Sequence, residues 1–318
     1  MPPEAEDLRD VFLSSIDFSA CRIVLSDTPI VLLCGGSVKT KKHADAPTPP
    51  VGSLRDAITR SQTTFEVFRP EEITSWHSDG VFKDLVSFEK ELASICSLVV
   101  IILESEGALV ELGAFSQLTE LSEKILAICP SEHRTTNSFI NLGILRFISA
   151  KKETSVRSYP WEIKNPASIT EEVTSDAVAD ITEELSNLSE TEVLKTSQNS
   201  HLIVMICELL KMFVALKEGE LLEYLRKIGF SLTSTELKGK LFLLKAFRLI
   251  KTQEYSDSLF YMRTNENYHK ARIALKDKSE KFDSLRIEVQ SLDFYNKNSQ
   301  KHRNRLRAIG LAKNGGAK

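Results

Sequence analysis

Ser97-Leu98-Val99-Val100-Ile101-Ile102-Leu103-Glu104-Ser105-Glu106-Gly107-Ala108-Leu109-Val110-Glu111-Leu112-Gly113-Ala114-Phe115 is the stretch on which the fold turns. Leu98 to Leu103 is an unbroken apolar run, mostly β-branched. A run this short and this continuously apolar reads as a strand buried on both faces, as in a parallel sheet. Gly107 then allows a tight turn, and a helix follows with Val110, Ala114, Leu118 and Leu121 at helical spacing. Glu111 falls in the first turn of that helix. There the dipole favours an ionised carboxylate.

Similar strand signals flank it. Ile30 to Cys34 is stopped by Gly35-Gly36, Phe65 to Phe68 is closed by Pro70, and Ile125 to Cys129 is closed by Pro130. A helical pattern with Leu85, Phe88, Leu92 and Ile95 lies between two of them. Strand–helix alternation predicts an α/β domain with a parallel sheet covered on both faces. Such sheets bind ligands beyond the C-terminal ends of their strands, which directs attention to the residues after Cys34, Phe68, Leu103 and Cys129.

The second half changes period. An apolar helix spans His201 to Val214, a shorter one Gly219 to Ile228, and Ser231-Leu-Thr-Ser-Thr-Glu236 signals a third running to about Arg248. Two alternating segments follow, Leu249 to Tyr255 and Leu259 to Arg263. Three helices and a hairpin make a winged-helix pattern. A last helix carries Phe282, Leu285, Val289 and Leu292. Charge is uneven: residues 166–198 hold eight acids and one base, whereas residues 296–318 hold seven Lys or Arg and no acid. The predicted organisation is an α/β domain over 1–165, an acidic helical connector over 166–199, a winged-helix domain over 200–265, and a C-terminal helix with a mobile basic tail over 266–318.

Composition narrows the function classes. The chain has 318 residues, 42% hydrophobic and 27% charged, with 41 Lys+Arg against 44 Asp+Glu. Nucleic-acid binding therefore rests on local patches. No apolar run approaches the roughly 20 residues of a membrane span, and the acidic N-terminus is no signal peptide. Five scattered cysteines and six scattered histidines offer neither a disulfide framework nor metal-ligand spacing. The expectation is a reduced, cytoplasmic, soluble protein with no metal.

Glu111 is the leading catalytic candidate, because a pre-oriented carboxylate beside the strand ends can attack or stabilise a sugar carbon with oxocarbenium character. The plainer reading is that Glu is common in any first helical turn. Leu33-Cys-Gly-Gly36, Phe68-Arg-Pro-Glu-Glu72, Glu104-Ser-Glu-Gly107 with Glu111-Leu-Gly-Ala-Phe-Ser116, and Ser138-Phe-Ile-Asn-x-Gly143 occur in one order over residues 28 to 148. Together they resemble the effector proteins of retrons that carry a nucleoside deoxyribosyltransferase-like domain followed by a winged-helix domain.

The resemblance implies a flavodoxin-like Rossmannoid domain that cleaves N-glycosidic bonds, with Glu111 as nucleophile. It implies that Gly35 and Gly36 let backbone approach the nucleotide, that Ser105, Glu106 and Gly107 face its ribose or phosphate, and that Asn141 lies near the same pocket. Glu71 and Glu72, after the second strand, are candidates for a ribose hydroxyl. No cofactor is implied, NAD or another nucleotide being substrate. The implied setting is antiphage defence as a toxic arm, in an assembly with a reverse transcriptase and its RNA-linked single-stranded DNA (msDNA). One position departs: the family usually carries Thr or Ser three residues before the nucleophile, here Ala108, and Ser105 is the hydroxyl that could replace it.

The segment Ser37 to Gly52, with Lys39, Lys41, Lys42 and His43, is long for a strand–helix connection and reads as a mobile surface loop. In the third helix of the winged-helix pattern, Lys238, Lys240, Lys245 and Arg248, with Lys251 beyond, are candidates for nucleic acid or a partner. The apolar Leu241 to Leu244 makes a protein-docking surface at least as good a reading there as base readout. Arg303, Arg305 and Arg307 in the tail suit phosphate contacts. Two other readings compete with the enzyme: a noncatalytic nucleotide-sensing Rossmannoid regulator with a DNA-binding winged helix, and a metabolic deoxyribosyltransferase, which would leave the second half without a role.

Overall fold

A computed structural model describes residues 7–39, 47–73, 80–135 and 137–314. In chain order the elements are α1 (Leu8–Ser15), β1 (Arg22–Val24), β2 (Ile30–Cys34), α2 (Leu54–Arg60), β3 (Glu66–Phe68), α3 (Leu85–Ile95), β4 (Leu98–Ile102), α4 (Glu106–Ser116), α5 (Thr119–Ser122), β5 (Ile125–Pro130), α6 (Ser131–Arg134), α7 (Arg146–Lys151) and β6 (Val156–Tyr159). They continue with α8 (Glu171–Ser186), β7 (Thr191–Val193), α9 (Asn199–Met212), α10 (Glu218–Ile228), α11 (Ser234–Ala246), β8 (Ile250–Tyr255), β9 (Ser258–Arg263), β10 (Lys270–Arg272), α12 (Ser284–Lys297) and α13 (Arg303–Asn314). A π-helical turn, Ile140–Leu145, precedes α7.

Two compact units divide the chain: Asp27–Leu188, and the residues up to Ser26 joined with Ser189 onward. This differs from the boundaries read from sequence. Strand β1 pairs antiparallel with both β7 and β10, so the N-terminal segment belongs with the second half.

In the Asp27–Leu188 unit, five parallel strands lie in the order β3-β2-β4-β5-β6. Counted within the unit this is 2-1-3-4-5, compatible with a Rossmann-like α/β fold and placing the reversal of strand order between β2 and β4. Every residue of β2, β4 and β5 is buried, as their continuous apolar runs require. The edge strand β6 lacks such a run and was not legible in the sequence. One sheet face packs Val31, Leu33, Val100, Ile102, Leu126 and Ile128 against Leu54 and Ile58 of α2 and Val173, Ala177 and Ile181 of α8. Helix α8 is thus no connector. Glu171, Glu172, Asp176 and Glu183 are exposed, Glu184 is buried and paired with Lys152, and the apolar stripe of α8 belongs to the sheet's core, where burying a Val or Ile side chain contributes about 1.5–3 kcal/mol.

In the other unit, α9, α10 and α11 are followed by the β8–β9 hairpin. The element order matches the sequence expectation. Helix α9 is buried nearly all round, as a helix apolar on every side must be. The tail read as mobile is largely helical: α13 buries Ala308 and Ile309 against Phe260, Met262 and Tyr295. Among the described residues no helix is long and apolar enough to cross a membrane, and no group of three or more His, Cys, Asp or Glu could hold a metal ion.

Candidate functional site: a carboxylate cluster at the strand ends

The ends of β2 and β4 are tied together by Glu104. Its Oε1 accepts from the backbone N–H of Gly36 and of Arg55, both at 3.0 Å, and its Oε2 accepts from Leu54 N–H at 2.9 Å. Leu54 and Arg55 open α2, so this carboxylate fills the helix N-terminus, where negative charge is favoured. Burial pushes the Glu104 carboxyl up, and the three N–H donors oppose that rise.

Gly35 and Gly36 are explained by this arrangement. A Cβ on Gly36 would lie 2.8 Å from Ser53 Cβ and 3.0 Å from Glu104 Cγ, and one on Gly35 would lie 3.2 Å from Glu104 Oε1. The glycines admit Glu104 and α2 before they admit any ligand. Gly107 needs no such account: it sits inside the first turn of α4, with open space where a Cβ would be, and no turn depends on it.

Ser105 is the N-cap of α4. Its Oγ accepts from Ala108 N–H at 3.2 Å and donates to the Gly35 carbonyl at 3.1 Å. The hydroxyl missing at Ala108 is therefore not missed as a cap, and Ala108 is itself buried. Because α4 starts at Glu106, Glu111 stands in the second turn, not the first. The face buried by α4 is Ala108, Leu112 and Phe115, whereas Val110 is 71% exposed. The sequence phase was rotated by an apolar residue that faces out.

Glu111 Oε2 is buried with no hydrogen-bond partner among the described residues. The Cys34 thiol at the end of β2 hydrogen-bonds the same carboxylate. Burial pushes Glu111 up, the Cys34 bond and the Arg55 charge pull it down, and Glu71 repels its charge. Glu89 of α3 is buried and pushed up to about 7, by burial first and then by the charges of Glu111 and Glu71.

Arg55 organises the cluster. It is buried, donating from Nε to the Leu33 carbonyl at 2.8 Å, from Nη1 to the Gly36 carbonyl at 3.3 Å, and from Nη2 to Glu71 Oε2 at 2.7 Å. Burial works to raise Glu71, but the Arg55 hydrogen bond and charge outweigh it and hold that carboxyl below its ordinary range. The result is three carboxylates, Glu71, Glu89 and Glu111, with distinct proton affinities beside one guanidinium and one thiol.

Of the residues read from sequence, the structure brings Gly35, Gly36, Ser105, Glu71 and Glu111 together here. Glu72 is turned away to Arg69, at 2.7 Å, and Glu106 is exposed on the first turn of α4. Asn141 lies in the π-helical turn, which packs on α4 where Ile144 approaches Gly113, and its Nδ2 donates to the Arg134 carbonyl at 2.7 Å. Lys41, Lys42 and His43 lie outside the described residues. Cys34, Arg55, Glu89 and Glu104 were missed as site residues. Glu89 gave a signal, for it stands beside Phe88 and three residues before Leu92 on the face that α3 buries. Glu104 lies two residues beyond β4, and its role shows only when the N-terminus of α2 closes on it.

The basic candidates of the other unit scatter. Lys238, Lys245, Arg248 and Lys251 are exposed, and Lys251 Nζ donates to the Ala312 carbonyl at 3.1 Å. Lys240 is 2% exposed and donates to Asn199 Oδ1 at 2.9 Å, so it does not present its charge to a partner. Leu241, Leu243 and Leu244 are core residues, which removes the apolar docking surface read from them. Arg303 and Arg307 are exposed, while Arg305 is buried and paired with Glu220.

Comparison with known proteins follows the same geography. The chain is 28% identical over 130 residues to the Retron Ec86 putative ribosyltransferase/DNA-binding protein of Escherichia coli, covering 40% of this chain and 39% of that protein. It is 27% identical over 81 residues to the Retron Ec73 putative ribosyltransferase/DNA-binding protein of Escherichia coli, covering 26% of each. The matched region is thus well under half the length of these relatives. A family model described as STM3845 retron effector protein matches residues 51–252, which contain Arg55, Glu89, Glu104 and Glu111, and by that match over more than half of its length the chain belongs to the retron effector family.

Proposed function

We propose that the Asp27–Leu188 unit cleaves the N-glycosidic bond of a nucleotide, NAD or a relative, with Glu111 as nucleophile. The single observation that carries this reading is the Glu111 carboxylate itself, held at the strand ends with one buried oxygen unpartnered among the described residues. An acceptor oxygen left without a donor is costly, and a developing cationic sugar carbon would relieve that cost. In the reaction Glu111 forms a bond to C1′ as the C1′–N bond breaks and its electron pair leaves with the base. Water then attacks C1′ and releases Glu111. Arg55 favours the ionised form of Glu111, which the attack requires. Glu89, near 7, holds a proton through much of the neutral range, limiting repulsion on Glu111 and serving as acid for a leaving base that needs one.

The experiment is Glu111→Gln. The purified variant is expected to keep its fold and lose cleavage of NAD and nucleosides by on the order of 10²–10³-fold or more, as for other missing charged catalytic groups. Cleavage at the wild-type rate would move the nucleophile elsewhere. Unaltered nucleotide binding and cell toxicity in a chain that cleaves nothing would support the sensor reading instead. The helix–helix–helix–hairpin unit serves, in this reading, as a winged helix that holds the effector to a reverse transcriptase and its msDNA.

A further inference from the structure

A cavity of about 400 Å³ opens at the start of α13, within the unit that contains α1 and α9 to α13. Arg9, Lys217, Lys301, Arg303 and Arg305 line it, and Glu220 is the one carboxylate among its described lining residues. That carboxylate is already shared: it accepts from Arg9 Nη1 at 2.7 Å and pairs with Arg305. Arg305 is 4% exposed, with its guanidinium carbon 4.7 Å from the centroid of the Tyr295 ring. Its Nε and Nη1 are buried without a hydrogen-bond partner among the described residues, as is Nε2 of His302.

Buried charged donors without acceptors are rare, because each loses its hydration without replacement. Two sit together here on Arg305, in a cavity whose lining cations outnumber its lining carboxylates five to one. The field is felt by His302, which is held near 4 by burial and then by the charges of Arg305 and Arg9. The first turn of α13 adds the positive end of a helix dipole.

We propose that this cavity binds a phosphate dianion, the terminal phosphate of a nucleotide or of a nucleic-acid end. A dianion with several acceptor oxygens suits convergent arginines, whose planar forks donate in pairs. Arg9 is already satisfied by Asp7 and Glu220, so the dianion would supply the acceptors that Arg305 lacks. The site is independent of the glycosidase reading, since neither Glu111 nor any of its neighbours takes part.

The test is calorimetric titration of the full chain with inorganic phosphate, a nucleoside 5′-monophosphate, the matching nucleoside, and an oligonucleotide bearing either a 5′-phosphate or a 5′-hydroxyl. Binding of the phosphate-bearing probes is expected to be at least about tenfold tighter than that of their phosphate-free counterparts. Because Arg305→Ala removes a buried group, the main variant is the surface double substitution Lys301→Ala with Arg303→Ala. It is expected to keep the melting temperature and weaken phosphate binding by about tenfold or more, with Arg305→Lys as a second, conservative variant. Preference for the monophosphate over the phosphorylated strand identifies a small ligand, and the reverse identifies a nucleic-acid end. No binding of any phosphate probe, equal binding with and without phosphate, or wild-type binding by the double variant overturns the proposal.

Discussion

Glu89 shows how a single carboxyl can serve a site at the expense of the fold. Its ordinary value is 4.5 and the folded chain raises it to about 7. The native state therefore holds a proton that the unfolded chain releases between those values. Stability from this group is fully present below pH 4.5 and is lost as pH rises through about 7. Glu89→Gln keeps the shape and removes the ionisation. The variant is expected to match wild type near pH 4.5 and to exceed it above pH 8 by at most about 3 kcal/mol, less whatever solvent screening removes. Urea unfolding at the two pH values measures the difference. A constant gap, or none, would show that Glu89 ionises freely in the native state. Residue roles of this kind were only partly legible. Glu111 stood out because it follows a strong strand at the spacing a site needs. Arg55 did not, because a basic residue between Leu54 and Asp56 looks like solvated helix until the backbone carbonyls of Leu33 and Gly36 close on it.

At the scale of elements, the central strands were read directly, since full burial of β2, β4 and β5 forces continuous apolar runs. Most short pieces were not: β6, β1, β7 and β10 carry too few residues to show a period, whereas the equally short β3 was marked by the Pro70 that closes it. Phase errors had a physical source too. Val110 at 71% exposure and Leu85 at 48% exposure entered the helical patterns because apolar surface residues are common. Glycines divide along the same line between requirement and tolerance. Gly36→Ala puts a Cβ 2.8 Å from Ser53 Cβ, an atom fixed to the backbone that caps α2. It is expected to destabilise by roughly 1–3 kcal/mol and to loosen the Glu104 bridge between β2, β4 and α2. Gly107→Ala, in the open first turn of α4, is expected to leave stability unchanged or raise it by up to about 1 kcal/mol. Urea midpoints for the two variants give the comparison. Equal effects would mean that the space around Gly36 yields as readily as solvent.

For the whole molecule, the C-terminal segment decides how binding experiments are designed. Its charge made it look like a detachable tail, because seven bases and no acid over residues 296–318 resemble a solvated terminus. The apolar positions of α13, Ala308 and Ile309, are few and were outweighed by that charge. Yet they close the core beside Phe260 and Tyr295, and Arg305 is bound to Glu220 with almost no exposure. Removing residues 297–318 would leave Glu220 short of a partner and open that core. Truncation after Asn296 is therefore expected to destabilise this unit by roughly 3–5 kcal/mol, the usual cost of breaking a buried pair by deleting one member. A truncated chain that failed to bind a reverse transcriptase–msDNA complex would report unfolding and not a weaker hold on phosphates. Exposed Arg303 and Arg307 separate the two effects. Replacing both by Ala is expected to keep the melting temperature while reducing the salt slope of nucleic-acid binding by about 0.7–0.9 for each phosphate that either arginine neutralises. Thermal melts of the truncated, double-variant and full-length chains, run beside titrations at two salt concentrations, test both statements. An unchanged melt for the truncation would return α13 to the status of a loose tail, and an unchanged salt slope for the double variant would show that neither Arg303 nor Arg307 meets a phosphate.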